Sequence, residues 1–158
     1  MKQTNEERGL NEMKIVLGSD HCGYELKNRV LPYLIEKHQI TDCGCYSTDP
    51  VDFPDIAGLV CREILEGRAE RGIMFCGTGV GAAIACNKVK GIRASVCHDI
   101  YSAHQAVEHD NIQVMVLGNQ VIGEYVAIEL IEAFLHAKFS ENEEFRRRVK
   151  KLELMEKA

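Results

Sequence analysis

No apolar stretch of this chain approaches the ~20 residues that span a bilayer, and the opening MKQTNEERGLNE lacks the apolar core of a secretory signal. The expected location is therefore the cytoplasm, with no membrane partner. Positive charge is also short, since 19 Lys and Arg stand against 24 Asp and Glu for a formal net charge of -5. That balance excludes a general affinity for nucleic acid, which is held mainly through its phosphates. Small molecules and further copies of the chain remain as partners. A disulfide framework is missing too: Cys22, Cys43, Cys45, Cys61, Cys76, Cys86 and Cys97 are odd in number and scattered through apolar segments. Reduced thiols are the expectation. Cys43 and Cys45 form a C-x-C with no second pair at a zinc-like distance, so no metal is expected.

What is present is enough for one core: 158 residues, 46% of them hydrophobic. Residues 1–12 read as a polar extension and residues 13–158 as a single domain. Within it, short apolar runs alternate with helical periodicity. MKIVLGSD, QITDCG, RGIMFC, GIRASVC and VMVLG read as strands. ELKNRVLPYLIEKH, IAGLVCREILEG, GVGAAIACNKV, SAHQAVEH and GEYVAIELIEAFLHAKF read as helices, with Pro32 expected to bend the first or delay its start. YSTDPVDFPD reads as an irregular loop. This alternation predicts a three-layer α/β/α Rossmann-like fold with a five-stranded parallel sheet. The charged tail SENEEFRRRVKKLELMEKA adds a C-terminal helix, whose Phe145, Val149 and Leu152 form one packing stripe against the body or a neighbouring subunit.

In such a sheet, ligands bind beyond the carboxyl ends of the strands where the strand order reverses. An order of 2-1-3-4-5 places GSDHCG (Gly18 to Gly23) beside CGTGVG (Cys76 to Gly81), so that Asp20, His21, Cys76 and Thr78 share one crevice. Two readings of CGTGVG stand side by side. Gly77, Gly79 and Ala82 fit G-x-G-x-x-A, with Asp99 22 residues after Gly77, as in dinucleotide sites. The alternative is an anion site, in which Gly77, Gly79 and Gly81 leave backbone N–H groups bare at a helix start. That anion is a bound phosphate or the charge developing on a reacting oxygen. Cys76, directly before the loop, is expected to be more acidic than an ordinary thiol and hence a usable nucleophile or base. His109, in the polar VEHDN just before the last strand, is a further candidate, ahead of His98 and His104.

GSDHCGYELK, CGTGVGAAIACNKVKGIRA and YSAHQAVEHDNIQVMVLG together resemble the type B ribose-5-phosphate isomerases, which are grouped with the galactose-6-phosphate isomerase subunits. The resemblance runs from about Met13 to Val149 and implies an aldose-ketose isomerase without a cofactor, working through a cis-enediol. It assigns Cys76 as the base, and Thr78 with the amides of Gly77, Gly79, Val80 and Gly81 as the enediolate's support. Asp20 and His21 are implied as sugar contacts. His109 is implied as the ring-opening acid, followed by Asp110 and delivered from a neighbouring subunit of a homodimer or homotetramer. Arg148 is implied as a phosphate ligand.

Departures from the family pattern bear on the substrate. The family's histidine is usually followed by Asn-Asp, and this chain has Asp110-Asn111. Gln120 and Glu144 occupy two positions where the family supplies arginine to the phosphate, so only Arg148 survives of the three. A different sugar phosphate, or an unphosphorylated aldose, is therefore an open reading. A non-catalytic sugar-binding subunit is another, although Cys76, Thr78 and His109 are all retained.

Overall fold

The computed structural model describes residues 12–157, so all but the last residue of the assigned N-terminal extension lies outside it. Strands β1 (Lys14–Ser19), β2 (Gln39–Asp42), β3 (Arg71–Cys76), β4 (Ala94–Val96) and β5 (Val114–Gly118) form one parallel sheet. Between them run α1 (Tyr24–Ile35), α2 (Phe53–Leu65), α3 (Val80–Asn87) and α4 (Ile100–Asp110). α5 (Glu124–His136) follows β5, and α6 (Glu143–Met155) is the expected tail helix. Side-chain alternation along the strands divides the core. Ile15, Leu17, Ile73, Phe75, Met115 and Leu117 face α1, α4 and α5. Val16, Met74, Cys76, Val114 and Val116 face α2 and α3.

The strand order is β2-β1-β3-β5-β4, not the expected 2-1-3-4-5. Burial explains the exchange. Every residue of VMVLG is buried, whereas the three residues of β4 are only partly so, and a parallel sheet seats its most apolar strand inside and its shortest at the edge. Right-handed crossovers then fix the layers: β3 to β4 runs outward with α3 on one face, and β4 to β5 runs back with α4 on the other. α4 consequently packs beside α5 rather than beside α3.

Two local expectations also change. α1 runs unbroken through Pro32, because the carbonyl that the missing N–H would have satisfied belongs to Asn28, on the exposed side of the helix and open to water. The end of YSTDPVDFPD is helical, with Pro54 in the first turn of α2, where its lacking N–H costs nothing. The tail stripe is confirmed in part: Val149 is buried and Phe145 half-buried against the body, while Leu152 is exposed.

Candidate active site

The carboxyl ends of β1, β3 and β5 converge on one point. The amide of Asp20, just beyond β1, donates to the Phe75 carbonyl at 3.2 Å, and a Cβ at Gly23 would stand 2.1 Å from the Phe75 carbonyl carbon. Glycine is thus required at position 23 by close approach of two backbones. On the other flank, Asn119 and Gln120 amides donate to the carbonyls of Cys76 and Gly77 at 2.9 and 3.0 Å. The Asn119 side chain donates to the Cys22 carbonyl at 3.0 Å, closing the ring of loops. With its carbonyls used in this way, the loop after β3 turns its amides inward.

Cys76 sits at the centre. Its Sγ donates to Asp20 Oδ2 at 3.3 Å, and the backbone amides of Gly77 and Gly79 lie close enough to favour a negative charge on the same sulfur. Cys76 is buried, but a carboxylate oxygen rather than apolar packing meets its sulfur. Its pKa is nevertheless raised, against the expected acidity. Burial is the largest cause, the hydrogen bond and charge of Asp20 add to it, and the two amides oppose it without prevailing. Gly79 caps α3 with φ 86, a left-handed conformation suited to glycine.

The neighbours take defined places. Asp20 is buried, with Oδ1 accepting from the Gly23 amide at 2.9 Å. His21 is half-buried, and its Nδ1 accepts from the Val51 amide at 3.2 Å. Thr78 and Val80 are exposed at the rim, and the Val80 amide donates to Thr78 Oγ1 at 3.3 Å. Gly81 lies against the Phe53 ring. The Gln120 amide group hangs over Gly77, within 3.1 Å of where a Cβ would be. Ligand atoms of Asp20, His21 and Cys22 lie within 4.8 Å of one another, a grouping that cysteine spacing did not anticipate, but both Asp20 oxygens and His21 Nδ1 are already engaged.

The structure does not bring His109, Asp110 and Arg148 to this point within one chain. α4 descends for 11 residues, ~16 Å, from the carboxyl edge of the sheet to the opposite edge. His109 is in its last turn, stacked on Phe145 of α6 with ring centroids 3.8 Å apart. Asp110 is exposed, and its carbonyl accepts from Arg93 Nε at 2.9 Å. Arg148 is exposed and paired with Glu144 at 3.5 Å.

His98, ranked below His109 from the sequence, stands at the strand ends: its Nε2 accepts from the Gly118 amide at 2.9 Å, and burial lowers its pKa. A polar residue directly after an apolar strand was its only signal. The dinucleotide reading loses its acidic group, because Asp99 accepts from the Ser102 amide at 2.7 Å and so caps α4.

Residues 15–152 match the family model described as Ribose/Galactose Isomerase. The chain is 44% identical over 132 residues to the D-erythrulose-4-phosphate isomerase of Pectobacterium atrosepticum, covering 80% of this chain and 85% of that one. It is 38% identical over 127 residues to ribose-5-phosphate isomerase B of Escherichia coli, covering 80% and 85%. The solved structure of Clostridium thermocellum ribose-5-phosphate isomerase B superposes with a TM-score of 0.89 at 38% identity, covering 92% of this chain and 98% of that one.

Proposed function

The chain belongs to the ribose/galactose isomerase family, and from that premise we propose that Cys76 is its working base, with residues 13–158 forming one isomerase domain that acts in the cytoplasm. The enzyme is an aldose-ketose isomerase of a phosphosugar. The observation that carries the site is the placement of one buried thiol between a buried carboxylate and the amides of Gly77 and Gly79.

Enolisation needs a base beside the carbon next to a carbonyl, and donors beside the oxygen on which charge collects. Cys76 takes the proton from C2 of the open-chain aldose and returns it to C1. The amides from Gly77 to Gly81 and the Thr78 hydroxyl hold the enediolate oxygen, and Asp20 and His21 contact the sugar. His109, Asp110 and Arg148 act from the second copy of a homodimer or homotetramer, with His109 opening the sugar ring and Arg148 meeting the phosphate. No helix among the described residues is long and apolar enough to cross a membrane, which fits a freely diffusing substrate.

The leading substrate pair is ribose 5-phosphate and ribulose 5-phosphate. A second reading, a four-carbon ketose phosphate, draws support from the neutral Gln120 over Gly77 and from the name of the Pectobacterium relative. Ketose formation from a panel of four-, five- and six-carbon aldoses, with and without terminal phosphate, tests both. Turnover of at least one phosphorylated member is expected, with Cys76→Ala about 10²–10⁴-fold slower and equally folded. Undiminished turnover by Cys76→Ala would remove the thiol from its role.

A further inference from the structure

Asp20 stands closer to the thiol than a sugar contact requires. Its Oδ2 is 3.3 Å from Cys76 Sγ, while Oδ1 is tied to the Gly23 amide and the backbone to the Phe75 carbonyl. The carboxylate is therefore held on the sulfur by two separate attachments. A thiol cannot accept a proton until it has lost its own, and the surroundings offer few takers. His21 Nδ1 is occupied by the Val51 amide, His98 Nε2 by the Gly118 amide, and Gly77 and Gly79 present donors only. Thr78 Oγ1 is engaged by the Val80 amide. Cys22 shares the Asp20 loop, and Asn119 and Gln120, on the β5 side, carry no charge. Among the described residues, Asp20 supplies the one side-chain acceptor hydrogen-bonded to the sulfur.

We propose that Asp20 is a catalytic residue: it receives the Cys76 proton as the reaction begins and passes that proton to the substrate oxygen. This rests on the reading of Cys76 as the base. The resting pair is Cys76 thiol with Asp20 carboxylate. The S–H proton moves to Oδ2, leaving a thiolate with the electron pair of the broken S–H bond. The thiolate takes the C2 proton, the C–H electrons form the C1–C2 double bond, and the carbonyl electrons move onto O1. Asp20 then protonates O1, giving a neutral enediol, a thiol and a carboxylate. In the second half Asp20 accepts the O2 proton, the O2 electrons re-form a carbonyl, and C1 takes the proton from the thiol. The resulting thiolate and carboxylic acid revert to the resting pair. Every proton and electron pair is returned, and no outside reactant enters.

The active form is then thiol with carboxylate, not free thiolate, and that is measurable in the unaltered protein. The midpoint for iodoacetamide alkylation of Cys76 marks where the free thiolate forms, with the other cysteines distinguished by peptide mapping. Between pH 7 and that midpoint, kcat/KM is expected to stay flat within about threefold. A tenfold rise per pH unit up to the midpoint would overturn the proposal, because it means that the free thiolate is required. Asp20→Asn keeps the size and the acceptor for the Gly23 amide but takes no proton. It should move the alkylation midpoint to lower pH and yet lower kcat by about 30-fold or more with KM within about threefold, a combination that a merely structural or sugar-binding group does not produce. Unchanged or faster kcat, or a loss confined to KM, sinks the role. Full activity in Cys76→Ala would instead remove the underlying base assignment, so the two failures are separable.

Discussion

The two ends of the sheet are built differently. At the carboxyl edge, Asp20, Cys76, Gly77 and Gly79 are buried, cross-braced by backbone from β1, β3 and β5, and brought together by the chain's own topology. At the opposite edge, His109 and Arg148 are held by side-chain contacts: His109 is stacked on Phe145, and Arg148 lies over the same ring and pairs with Glu144. The first arrangement fixes charge and proton positions within one chain. The second holds its groups on the far side of the sheet from Cys76.

The sharpest way to break this comparison is to separate the ends genetically. Cys76→Ala subunits lack the inner site, and His109→Ala subunits lack the far one. Each alone should fall about 10²-fold or more on a ring-closing substrate. Refolded together in equal amounts, half of the two-fold dimers are mixed, and each mixed dimer keeps one complete site of two, so activity should recover to about a quarter of wild type. No recovery, with dimers shown by sedimentation, would mean that His109 does not serve a neighbour's Cys76.

A smaller effect separates backbone precision from mere folding. Gly79 has φ 86, and a Cβ there would lie 3.2 Å from both Val116 and Val96 methyls, whereas Gly67 has φ 73 with open space around it. Alanine at either position strains the backbone by about 1–3 kcal/mol. Denaturant midpoints should therefore drop for both. Only Gly79→Ala should also lose activity, by about tenfold or more, because its amide faces the sulfur and a tilted donor no longer meets the developing charge. Equal activity in the two variants would show that the loop amides are not used.

This contrast also explains what could be read from residues alone. Strand and helix alternation, the switch-point crevice and the placing of Asp20 and Cys76 around it follow from apolar runs and from glycine at strand ends, which are local signals. The exchange of β4 and β5 was missed because it depends on which of two apolar runs is more completely apolar, ASV or VMVLG, a comparison between segments. The direction of the Cys76 shift was missed for a related reason. Helix-terminal amides are visible in CGTGVG, but the burial and carboxylate that outweigh them come from elsewhere in the chain. His109 was legible as a candidate from its polar setting, and its implied neighbour is a property of assembly that no single chain contains.

The smallest expected effect bears on the phosphate. Arg148, the proposed phosphate ligand, is tied to Glu144 one helical turn away, with both side chains more than half exposed. Such exposed pairs are worth about 0.2–1 kcal/mol, so Glu144→Gln should leave the melting temperature almost unchanged. Freed of that competitor, the guanidinium is available to a phosphate, and the same energy appears as a KM lowered about two- to fivefold for phosphorylated substrate at low salt. An unphosphorylated aldose should show no change, since it has no group for Arg148 to meet. If both substrates shift alike, or neither does, Arg148 is not the phosphate ligand, and the opposite edge of the sheet serves ring opening alone.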